Sequence, residues 1–193
     1  PQKTSPLPSL SSAPVLPEFK VSPALVVPVV KSQTSYIDLR TGSTLARAAN
    51  YLKERSLSVL QNESVFRPSQ SMTRREAILY LAGVYSIESQ FGATSSFADV
   101  PADDAIVGYL ATLQARGIVK SGWVFRPNEA ITKQELIVLL SRLSGKTRGD
   151  EDLDKLTQSF VETTRYRRAG ISPEKPVLRS DAARMIEVYT RGS

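Results

Sequence analysis

PheArgProSerGlnSerMetThrArgArgGluAla, Phe66 to Ala77, returns without a gap as PheArgProAsnGluAlaIleThrLysGlnGluLeu, Phe125 to Leu136, so that Phe66, Pro68, Thr73 and Glu76 each reappear 59 positions further on. A chain that repeats itself at such an interval builds one supersecondary unit more than once, and the unit decides the fold. Thr73 with Glu76, and Thr132 with Glu135, have the Thr-x-x-Glu spacing in which hydroxyl and carboxylate satisfy reciprocal backbone donors at a helix start. Ala77, Tyr80, Leu81 and Val84 then fall at i, i+3, i+4 and i+7, as do Leu136, Leu139, Leu140 and Leu143. Each copy therefore predicts an amphipathic helix with one core-facing stripe.

Outward from this stretch, TyrIleAspLeu at Tyr36 to Leu39 matches PheAlaAspVal at Phe97 to Val100 with a shift of 61, which also carries Leu45 to Ile106, Leu52 to Leu113 and Arg55 to Arg116. The first halves hold Leu45, Ala48, Ala49 and Leu52, then Ile106, Tyr109, Leu110 and Leu113, again at helical spacing. A third, weaker copy places Pro173, Arg179, Asp181, Met185 and Ile186 at a shift of 46 from Pro127, Lys133, Glu135, Leu139 and Leu140, with Ala182, Met185, Ile186 and Tyr189 as its stripe. Leu178 stands at its threonine position, so the capping box is lost there. Gly117 and Gly170 suit the left-handed residue that closes a helix. The expected architecture is all-α: helix-loop-helix units at about 36–88, 97–144 and 150–190 form one domain over 36–193.

Before that domain, residues 1–35 carry seven of the twelve prolines, interleaved with serines. This composition favours extended polyproline II geometry and reads as a linker, or as a strap that docks on a protein partner through Val26, Val27, Val29 and Val30. The longest apolar stretch, Ala24 to Val30, is interrupted by Pro28 and far shorter than the roughly 20 residues of a membrane span. With no initiator Met and no charged segment ahead of an apolar one, a signal peptide is either absent or already removed.

Composition narrows the chemistry. Cysteine and histidine are both missing, which removes disulfides, thiolate and imidazole catalysis and the usual zinc ligands. The net charge of +6 favours anionic partners. The acidic run Asp150, Glu151, Asp152 and Asp154 lacks the glycine and terminal glutamate of a calcium loop, so no metal or other cofactor is expected. The ArgTyrArgArg cluster at Arg165 to Arg168 could grip a polyanion, but on a helix it more often forms a solvated face, and no nucleic-acid recognition motif accompanies it. No pair of carboxylates suggests a hydrolytic site. The chain is not expected to be an enzyme.

PheAlaAspValProAlaAspAspAlaIle from Phe97, LeuGlnAlaArgGlyIleVal from Leu113, and the stretch from Phe125 to Leu143 together resemble one full S-layer homology repeat, from its opening Phe-x-Asp-Val to its Ile-Thr-Arg-Ala-Glu signature. The resemblance implies three repeats in a pseudo-threefold spindle, and a module that binds an anionic secondary cell-wall polymer or a peptidoglycan-linked glycan outside the cytoplasm, in the cell wall, S-layer or periplasm. It carries the signature's basic residue onto Arg74, Lys133 and Arg179, and the loop aspartate onto Asp38 and Asp99. A guanidinium at a helix start would meet a sugar carboxylate bidentately, helped by the helix dipole and its open backbone donors. Lys133 keeps the charge and loses the planar fork.

Each of these residues has a plainer reading. The three bases could be first-turn charges or salt-bridge partners of a neighbouring unit, and the two aspartates could cap the helices that follow them. Trp123 could stack on a sugar face or pack against its own unit. The alternative to glycan binding is a degenerate module that has become a protein-interaction subunit of an envelope assembly, with residues 1–35 as its strap.

Overall fold

A computed structural model describes residues 36–57, 63–145, 155, 158 and 174–191. The leader 1–35, the acidic run at Asp150 to Asp154, the Arg165 to Arg168 cluster and Gly170 lie outside the described residues. The fold is all-α among them: α1 is Thr44–Arg55, α2 Arg74–Val84, α3 Val107–Ala115, α4 Lys133–Leu143 and α5 Arg179–Arg191.

The helix starts follow the sequence chemistry. Thr73 and Thr132 each accept from the amide three residues on, and Glu76 and Glu135 reach back to the threonine amides, so both capping boxes are formed. Ser43 caps α1 by accepting from Ala46 N at 3.0 Å. The α2 and α3 ends share one closing pattern. Gly117, at φ 71°, lets its own N–H reach Gln114 O while Ile118 N reaches Leu113 O, both at 2.9 Å, and buries Ile118. At the end of α2, Ser86 takes the same left-handed place, at φ 50°, and Ile87 N reaches Ala82 O at 2.8 Å.

The predicted stripes are in the core, with Val84, Leu139, Leu143, Leu45 and Tyr109 partly buried against it. α2 exceeds its prediction: all of Ala77, Ile78, Leu79, Tyr80, Leu81 and Ala82 are buried. The reason is position, because α2 packs against both α1 and α3, and a helix with neighbours on two sides has little solvent face left. α5 packs on α1 and α4. Gly83 lets α2 touch the end of α1, since a Cβ there would lie 2.3 Å from Arg55 O.

The segments entering α2, α4 and α5 meet in a closed ring. Met72 N donates to Val177 O, Val177 N to Ile131 O and Ile131 N to Met72 O, each at 2.9 Å, and all three side chains are buried. One step on, Arg74 N donates to Glu129 O, Lys133 N to Lys175 O and Arg179 N to Gln70 O, in the opposite sense around the ring. The contacts Ser71 with Leu178, Thr73 with Ala130 and Thr132 with Pro176 are isolated bridges, too short to make strands. Buried amides at three helix starts thus find partners in one another instead of in water, which is what a buried backbone requires.

Candidate functional site

Arg74, Lys133 and Arg179 are each the first residue of a helix, and the ring brings them to matching positions. Each meets the acid at the third position of the next helix around: Arg74 pairs with Glu135, Lys133 Nζ with Asp181 at 3.2 Å, and Arg179 with Glu76 at 2.6 Å. Backbone donors expected to be open are in use at these starts: Arg74 N, Arg75 N, Lys133 N, Arg179 N and Ser180 N all donate to carbonyls of a neighbouring segment, which leaves a ligand to be met chiefly by side chains.

The three positions differ in access. The Arg179 side chain is 1% exposed, bonded also to Glu63 at 2.9 Å and to the Tyr80 hydroxyl at 3.2 Å, and it lies over the Phe66 ring. Burial alone would lower its pKa, but Tyr80, Glu76 and Glu63 more than offset this and raise it, so the cation is fixed. Lys133 is 12% exposed and Arg74 20%. Arg74 lies over the Phe125 ring, donates from Nε to Phe125 O at 2.7 Å, and borders a groove of about 370 Å³. The walls are Arg74 and Ile78 of α2, Gln134, Glu135, Val138 and Arg142 of α4, and the loop from Ile118 to Phe125 with Lys120 in it. Burial pushes the Glu135 carboxyl upward, yet the Thr132 amide and Arg74 bring it below its ordinary value, so the wall is a fixed ion pair.

Trp123 is 81% exposed beside this groove, while its neighbours Gly122 and Val124 line it. Packing of the indole against its own unit is therefore not what holds Trp123, although its carbonyl accepts from Ala98 N at 2.9 Å.

Asp38 and Asp99 do not cap helices. The cap of α1 is Ser43, and α3 has no side-chain cap at Ile106. Instead Asp38 accepts from Phe66 N and Arg67 N at 2.8 and 2.7 Å, and Asp99 from Phe125 N and Arg126 N at 2.7 and 2.6 Å. Arg67 and Arg126 sit at φ 55° and 59°, a region costly for residues with a Cβ, and each aspartate holds that turn by both amides. The recurring Phe-Arg-Pro was the available sign of this turn; its partner 28 residues away had none.

Burial acts to raise both aspartates, but the paired amides outweigh it and their pKa values fall below the ordinary range. Since the unfolded carboxyls protonate first on acidification, their stabilisation is complete above the unfolded pKa of about 3.9 and is lost as pH falls through the lower folded values. The melting temperature is expected to drop steeply below about pH 4, and less steeply in Asp38→Asn/Asp99→Asn; equal slopes in calorimetric scans would refute the clamp.

The remaining contacts were not read from the sequence. Arg75 pairs across to the buried Asp104, and Glu63 and Tyr80 converge on Arg179. Among the described residues no three His, Cys, Asp or Glu side chains are placed to hold a metal, and no helix is long and apolar enough to cross a membrane.

The family model of the S-layer homology domain matches residues 96–137, which contain Asp99, Trp123, Lys133 and the loop wall of the groove. The chain is 25% identical over 180 residues to an S-layer protein of Bacillus thuringiensis subsp. finitimus, and 25% identical over 179 residues to the S-layer protein sap of Bacillus anthracis. Each alignment covers 84% of this chain and 22% of the relative, so the chain spans about a fifth of the length of the curated relatives it matches.

Proposed function

We propose that the chain is a non-catalytic anchoring module of the cell envelope, three helix-loop-helix units around a pseudo-threefold axis, that holds an anionic wall glycan in the groove beside Arg74. The observation that carries this reading is the groove itself: about 370 Å³, with Arg74, Lys120 and Arg142 around an apolar lining that includes Phe97 and Phe125. Apolar faces with a few cations suit a sugar ring that bears an acid. The cyclic hydrogen bonds at Met72, Ile131 and Val177 support the threefold reading, and the match of residues 96–137 to the S-layer homology domain supports the anchoring role. Trp123 at the groove's edge is the stacking platform.

Lys133 and Arg179 are assigned lesser parts: neither lines this groove, and Arg179 is sealed. Co-sedimentation with purified sacculi tests the reading. The wild-type chain is expected to pellet, and Arg74→Ala/Trp123→Ala to lose at least tenfold in apparent affinity, as does removal of the acidic polymer from the wall; a chain that stays in the supernatant with walls of its own source ends the proposal. A protein-interaction role is favoured by the sealing of Arg179 and the exposure of Ile37 and Phe91. It predicts instead that deleting residues 1–35 breaks an envelope assembly while wall binding is nil in every variant.

A further inference from the structure

The Arg179 junction and the Arg74 groove hold the same parts in the same register, with two differences. In both, the guanidinium lies over a phenylalanine ring, Phe66 at 5.4 Å and Phe125 at 4.9 Å. That ring packs on an aromatic partner, Tyr36 at 5.1 Å and Phe97 at 5.3 Å. In both, the base pairs with a first-turn glutamate of an adjoining helix. The interval of 59 that carries Phe66 to Phe125 also carries Glu63 to Gly122 and Tyr80 to Leu139.

Those two exchanges account for the difference in access. Glu63 and Tyr80 bond the Arg179 guanidinium, whereas Gly122 and Leu139 line open space. A Cβ built on Gly122 finds nothing nearer than Phe97 Cε1 at 3.8 Å, so the space would admit a side chain. On the other side, Lys53 fastens the Glu63 segment by donating to Glu63 O at 2.6 Å. Even so, Arg179 Nε is buried without a hydrogen-bond partner among the described residues.

We infer that Glu63 is a built-in occupant: its carboxylate takes, at the Arg179 junction, the place that a ligand carboxylate takes beside Arg74. The chain thus keeps one anion site open and plugs its twin with its own acid. Only the ligand half of this statement rests on the proposed anchoring function; the plug stands on the geometry.

Glu63→Gly in the full chain removes the plug and leaves a buried cation beside a carboxylate-sized space. Sodium acetate at about 0.2 M, compared with sodium chloride at equal ionic strength, is expected to raise the melting temperature of this variant by roughly 3–5 °C more than it does for the wild type or for Glu63→Gln, whose amide still fills the space. The same acetate effect in all three chains overturns the inference. If Glu63→Gly does not fold, Gly122→Glu decides: the added carboxylate is expected to raise the melting temperature by roughly 2–4 °C, a gain erased by Arg74→Ala, and a variant that melts at or below the wild type overturns it. Neither arm uses a wall preparation, so failure of the anchoring reading shows separately, in the sacculus assay.

Discussion

Arg179→Ala is expected to cost about 3 kcal/mol of folding stability, because it removes a buried cation shared by two half-buried carboxylates. The Arg179 side chain is 1% exposed, and Glu63 and Glu76 depend on it for their pairing. Deleting it leaves both acids facing each other and Tyr80 without their counter-charge, and opens a cavity next to Phe66. Arg179→Lys keeps the charge but cannot fork to Glu63 and Glu76 together, so its loss falls between wild type and Ala. Urea unfolding with unchanged m-value measures the difference, and an Arg179→Ala chain within about 1 kcal/mol of wild type would show that the pairing is not structural. Arg74→Ala loses less, since Arg74 is itself more exposed than Arg179 and pairs with one acid where Arg179 pairs with two. The two bases, alike in register, therefore divide: Arg179 is sealed within the ring, whereas Arg74, though paired with Glu135, borders an open groove.

Gly83→Ala is the second large effect, at about 2–3 kcal/mol despite alanine's better helix propensity. The new Cβ would lie 2.3 Å from Arg55 O and 2.9 Å from Ser56 Cα, both backbone atoms, so no side chain can rotate away and the end of α1 must shift. Ser56 is itself buried at that end, with its hydroxyl bonded to Lys53 O. Thermal unfolding of Gly83→Ala against Gly122→Ala separates contact from propensity, because the Cβ at Gly122 has room. Equal melting temperatures for the two variants would mean that α1 and α2 approach less closely than described.

The repeat at Phe66 and Phe125 was enough to place α2 and α4. Thr73 and Thr132 began them where the capping spacing said, and the stripes at Ala77 and Leu136 faced inward. These are local matters, set by hydrogen-bond reach within one turn and by a period of 3.6 residues. The capping alternative for Asp38 and Asp99 fails for the same reason: an aspartate ahead of a helix looks like a cap, and nothing nearby reveals that its amide partners lie in the next loop. The shared register of Arg74, Lys133 and Arg179 was legible, but their ring of partners was not, since Glu76 meets Arg179 across 103 residues.

By itself, then, the sequence determined helix content, the capped starts of α2 and α4 and the recurrence of a base opening α2, α4 and α5, because these are read from side chains within a few residues of one another. Only the tertiary structure decided which base is accessible. That choice turns on whether Glu63 or Gly122 stands opposite the guanidinium, a matter of close packing between segments far apart in the chain.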